Sequence, residues 1–233
     1  MKTLGILGGM SPASTSIYYQ NINQYIQEAL GGNHSAPILL DSLNFEPIVQ
    51  LQQKGEWDIM GKELANHAQK LQQAGAEILI LATNIMHKVA SYIEENIQIP
   101  FLNIIDVTAD AILASGINNI ALLGTKFTMQ DNFYRERLEK HGLRVLTPTA
   151  NLQDKIHQHI FAELCLNKVT TNCRKTFEQA IQQLKDEGAQ GVILGCTEIC
   201  LAVDKENSCL PIFDSTSLHC QAAAKAVLQN IYS

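Results

Sequence analysis

Apolar residues along this chain gather in short runs separated by longer amphipathic stretches. The runs are TLGILG (3–8), APILLDS (36–42), EILILAT (77–83), IPFLNI (99–104), NIALLGT (119–125), RVLTP (144–148), GVILGC (191–196) and LPIFDS (210–215). Each is long enough for one buried strand, and several end in Gly or a small polar residue. Between them, 61–75 and 176–188 carry apolar residues at helical spacing and finish in Gly, a common helix stop. Apolar strands alternating with amphipathic helices predict an α/β fold with parallel sheets.

The order of the runs repeats. Gly8 aligns with Gly124, Thr83 with Cys196 and Pro100 with Pro211, at offsets of 116, 113 and 111. Any parallel strand can end in Gly or a small polar residue, so each match is weak singly. Their nearly shared offset predicts two similar halves of four strands each. In such sheets ligands collect at the carboxyl ends of the strands. The expected site is therefore a cleft between the halves, lined by 8–11, 83–85, 124–128 and 196–198.

Composition narrows the function class. Hydrophobic residues make up 46% and charged residues 17%, as in ordinary globular proteins. A net charge of −6 without a basic stripe speaks against nucleic acid or an anionic membrane as partner. No apolar run reaches membrane-spanning length, and the N-terminus reads as a buried strand rather than a signal peptide, so a cytoplasmic location is expected. The six cysteines lie at or beyond position 165 with no CxxC pair, which suits neither a disulfide scaffold nor a zinc ribbon.

Cys196 stands out by position. A thiol where a strand meets a helix N-terminus is expected to have a lowered pKa and to serve as nucleophile or base; an inert buried thiol is the competing reading. Thr83, at the matching turn, carries a weaker hydroxyl, and with Asn84 it would also suit a helix N-cap. GILGGMSPAS is neither GxGxxG nor a Walker motif, so a nucleotide site is poorly supported. Converging helix N-termini would suit a substrate with more than one carboxylate. His87 and His219 read as structural histidines, and no HExxH-type spacing appears, so no metal is expected.

Taken together, LGILGGMSPAST, GGNHSAPILLDSLNF, LQQKGEWD, TNIMHK, LLGTKFTMQDNFY, FAELC and LGCTEI resemble the aspartate/glutamate racemase family over nearly the whole chain. The resemblance implies two pseudo-symmetric α/β domains, commonly dimeric, that racemise acidic amino acids without pyridoxal phosphate or metal. It implies Thr83 and Cys196 as the paired acid/base positions, both typically Cys in the family. Substrate contacts carry over to Met10, Gln52, Asn84, Ile85 and Thr197, with Lys155 as a further cation for a carboxylate. It also implies that the chain from about 210 returns to the first domain, giving domains 1–105 plus 210–233 and 106–209.

Two departures matter. Ile85 stands where the family has a hydroxyl, and Thr83 replaces a thiol, so the two faces of a substrate meet unequal bases. Cys196 is then the efficient base, and Thr83 is a poor one unless a neighbour such as His87 activates it. A non-catalytic binder of acidic amino acids or dicarboxylates, or a related enzyme such as a hydantoin racemase, maleate isomerase or arylmalonate decarboxylase, are the alternatives.

Overall fold

The computed structural model describes residues 1–229. Each apolar run forms a strand: β1 (Leu4–Gly8), β2 (Ile38–Ser42), β3 (Ile78–Leu81), β4 (Phe101–Leu102), β5 (Asn119–Leu123), β6 (Arg144–Leu146), β7 (Gly191–Leu194) and β8 (Ile212–Asp214). The α-helices are α1 (Pro12–Leu30), α2 (Phe45–Lys54), α3 (Trp57–Gln73), α4 (Ala90–Asn96), α5 (Ile104–Ala114), α6 (Lys126–Gln130), α7 (Asn132–Lys140), α8 (Ala150–Ala162), α9 (Thr171–Asp186) and α10 (Ser215–Leu228). None of the described helices is long and apolar enough to cross a membrane.

The strands form two four-stranded sheets of identical order, β2-β1-β3-β4 and β6-β5-β7-β8, with every pairing parallel. The central strands β1, β3 and β7 are buried along their whole length, whereas the edge strand β2 is not. This is why the central strands read as continuous apolar runs: helices cover both faces of a parallel sheet. On α9, Cys173, Thr176, Phe177, Ala180, Ile181 and Leu184 recur every three or four residues and are the buried stripe. The apolar ones pack with Val192 and Leu194 of β7 into the core of the second sheet.

The chain divides into two compact units, residues 1–104 with the segment from His219 onward, and residues 105–218. The last strand does not return to the first unit as the resemblance implied. Strand β8 stays on β7, with Val192 opposite Ile212 and Leu194 opposite Asp214. Gly191 explains the fit, since a side chain there would collide with the Phe213 ring. The division falls inside α10, whose Cys220, Ala223, Ala224 and Val227 join Tyr18, Ile22 and Ile26 of α1 in a first-unit core. Residues 230–233, the end of the segment assigned to the first domain, lie outside the described residues.

Candidate active site

In the first unit, β1 runs into a turn that only glycine can make. Gly9 has φ +87°, and a Cβ on it would strike the backbone of Leu43. Its N–H donates to Thr15 Oγ1 at 2.8 Å, while Ser11 caps α1 by accepting from Ser14 N–H. The second unit repeats the device after β5. Thr125 caps α6 by accepting from Thr128 N–H, and Gly124 leaves room for the Thr128 side chain as Gly8 does for Thr15.

Beyond β3, Thr83 and Asn84 are both buried and lead into a 3-10 helix over Ile85–Val89. Neither provides a side-chain cap to it. Thr83 Oγ1 has no hydrogen-bond partner among the described residues, so the hydroxyl is uncommitted. Met10 is buried in one cluster with Leu81 and Met86, and Ile85 packs against the same cluster. Gln52 of α2 points its amide at Met86 Sδ, 3.9 Å away.

His87 does not activate the Thr83 hydroxyl. The Ile104 N–H donates to His87 Nε2 at 3.3 Å, so Nε2 is the unprotonated nitrogen and Nδ1–H donates to the Thr83 carbonyl at 2.7 Å. A neutral ring is thereby fixed beneath the turn, stacked on Phe101. His219 is equally structural: it accepts from the Tyr18 hydroxyl at Nδ1 and donates from Nε2 to Leu102 O. Burial pushes its pKa down to about 4.

Beyond β7, Gly195 N–H donates to Leu123 O, and Cys196 follows in extended conformation ahead of a 3-10 helix over Thr197–Leu201. The Cys196 thiol donates to Glu198 Oε2 at 2.8 Å, and Thr197 Oγ1 donates to the same oxygen at 2.7 Å. The expected lowering of the thiol pKa is reversed. Burial first, then the Glu198 charge and its hydrogen bond, push the Cys196 thiol well above its ordinary value. The reason is local: a five-residue 3-10 turn supplies little of a long helix's dipole, and an acidic residue occupies its first turn. At rest Cys196 is a protonated thiol hydrogen-bonded to Glu198 Oε2.

Lys155 lies exposed on α8 with no ion pair or hydrogen bond among the described residues, while its neighbour Asp154 pairs with Lys126 at 2.6 Å. Pockets of about 460 Å³ and 400 Å³ in the first unit contain neither Thr83 nor the other residues of its turn.

The profile of the Asp/Glu/Hydantoin racemase family matches residues 7–223. The chain belongs to that family. A broad specificity amino-acid racemase of Bacillus subtilis is 25% identical over 215 residues, covering 92% of this chain and 93% of the relative. The crystal structure of a candidate Asp/Glu racemase from Yersinia pestis superposes with a TM-score of 0.95 at 46% identity, over 98% of this chain and all of that one. An aspartate racemase homologue from Pyrococcus horikoshii superposes at 0.89 with 32% identity and the same coverage. The repeated four-stranded sheets are those of this racemase family, and the chain is an enzyme of the racemase class.

Sequence reasoning placed Glu198 in the 196–198 turn but gave it no part in the chemistry. What marks it in the sequence is its place two residues after Cys196 in LGCTEI. In a full α-helix, residues two apart point to different sides. The extended Cys196 and the tight turn that follows allow both side chains to meet.

Proposed function

We propose that this protein is a cofactor-independent racemase of acidic amino acids, aspartate or glutamate, in which Cys196 and Thr83 serve opposite faces of one α-carbon. The observation that carries the reading is the 2.8 Å contact between the Cys196 thiol and Glu198 at the carboxyl end of β7. Family membership supports the reaction type, and the Pyrococcus relative is described as an aspartate racemase homologue.

The chemical problem is to remove a proton next to a carboxylate without an electron sink. Glu198 accepts the Cys196 proton as substrate arrives, leaving a thiolate that takes the α-proton; the electron pair moves into the substrate carboxylate. Backbone N–H groups of the two turns, with Asn84 and Thr197, are assigned to that developing charge. Thr83 delivers a proton to the other face, itself or from water. The proton held by Glu198 returns through solvent to restore the starting state.

The direct test is to incubate each enantiomer of aspartate and glutamate in deuterated water and follow loss of the α-proton by NMR. One enantiomer of the preferred acid should exchange faster than the other, because thiol and hydroxyl are unequal bases. Binding without exchange for all four would return the chain to the non-catalytic reading. Thr83→Cys should bring the two exchange rates closer together, and an unaltered ratio would remove Thr83 from the mechanism. Glu198→Gln should slow exchange by about 10- to 100-fold with KM little changed, within the range for a group assisting proton transfer; an unchanged kcat would show that the thiol needs no such partner. The proposal keeps a homodimer in the cytoplasm, to be checked by light scattering and fractionation.

A further inference from the structure

The second unit holds a cluster of metal-type donors that the racemase reaction does not use. His159 and Glu163 lie one helical turn apart at the end of α8, and Cys173 is in the first turn of α9. One donor atom from each lies within 4.8 Å of the others. His159 and Cys173 are buried and Glu163 is partly exposed, which leaves a way in from solvent.

The surrounding hydrogen bonds decide which atoms are available. Thr176 Oγ1 donates to Asn172 O at 3.0 Å, so it accepts from His159 Nε2–H at 3.1 Å. That fixes Nε2 as the protonated nitrogen and turns Nδ1 toward the cluster. Thr170 Oγ1 donates to Glu163 Oε2 at 2.6 Å, occupying that oxygen and leaving Oε1, which sits 2.7 Å from Nδ1. Thr170 is itself anchored as the N-cap of α9, accepting from Cys173 N–H. A ligating His whose second ring nitrogen donates to an oxygen, beside a ligating carboxylate that is itself hydrogen-bonded, is the usual outer shell of a protein metal site.

We infer that His159 Nδ1, Glu163 Oε1 and Cys173 Sγ form a site for a divalent cation of the zinc type. Nitrogen, oxygen and sulfur donors together suit zinc or cobalt and not magnesium or calcium, which take oxygen alone. Three protein ligands leave a fourth tetrahedral position for water on the exposed Glu163 side. The ion replaces the proton between Nδ1 and Oε1 and the proton of the thiol, and it ties the end of α8 to the start of α9. The motif escapes a search for contiguous metal spacings because its third ligand comes from another helix.

The test titrates metal-stripped, fully reduced protein with cobalt(II) and follows the thiolate-to-cobalt charge-transfer band and the tetrahedral d–d bands. Wild type should develop both with one equivalent bound, and zinc should displace the cobalt. Glu163→Gln, which keeps the hydrogen-bonding outline, and Cys173→Ser should each weaken binding at least about tenfold, Cys173→Ser with loss of the charge-transfer band. Cys165→Ser, which removes an exposed cysteine outside the cluster, should bind as wild type does. The inference is overturned if wild type shows no thiolate band at excess cobalt, or if the band survives in Cys173→Ser. Circular dichroism of each variant separates loss of binding from loss of fold. The readout does not involve amino-acid turnover, so it stands or falls separately from the racemase proposal.

Discussion

Cys196→Ala is expected to reduce α-proton exchange of the reactive enantiomer by at least about 10³-fold, within the range for loss of a positioned acid/base group. The side chain it removes is the thiol whose assigned proton acceptor, Glu198, is already at 2.8 Å. Alanine leaves the Glu198 carboxylate with Thr197 Oγ1 as donor, so the turn should keep its fold. Binding of the substrate, measured by calorimetry, should change much less than turnover, because the carboxylate contacts assigned to Asn84 and the backbone are untouched. If the variant exchanges the α-proton as fast as wild type, Cys196 is not the base and the proposed chemistry fails. The burial and charge that raise the thiol pKa also set the expected pH dependence. Activity should rise with pH toward the alkaline side, since a higher pH favours removing the thiol proton.

The second large effect concerns stability, and it comes from His219. In the fold both ring nitrogens are engaged within a closed core, with Tyr18 on one side and Leu102 on the other, and the pKa falls from 6.5 to about 4. The unfolded chain therefore binds more protons than the folded one between those values. Stability from this group is fully present above pH 6.5, is lost progressively as pH falls, and is gone below about 4. The total is roughly 3 kcal/mol, of which about 2 kcal/mol is lost between pH 7 and pH 5. His219→Gln, which can still accept from Tyr18 and donate to Leu102, should unfold in urea with a visibly flatter dependence on pH across this window. Imidazole NMR should find His219 neutral until close to pH 4. Parallel pH slopes for the two proteins would show that His219 titrates normally.

The strands were legible because a parallel sheet covered on both faces has one requirement, continuous apolar side chains, and β1, β3 and β7 meet it without interruption. The repeat was legible for a related reason. Gly8 and Gly124 each stand where the first turn of a helix presses a threonine against the strand end, so the same small residue recurs at the same place in both sheets. The return of the last strand was misjudged because LPIFDS carries no mark of which sheet it joins; the choice depends on the space that Gly191 leaves for Phe213.

The sequence by itself determined the α/β class, the eight strands and the two turns bearing Thr83 and Cys196, since these follow from local apolar runs and the residues that end them. Only the tertiary structure decided what those turns contain. It gave Cys196 a carboxylate partner and a raised pKa where a helix dipole and a lowered one were expected. It tied His87 to the Thr83 carbonyl and left the hydroxyl uncommitted. It also joined His159, Glu163 and Cys173 from two helices. Burial and hydrogen-bond geometry set a side chain's charge and reactivity, and both depend on neighbours that the order of residues along the chain does not name.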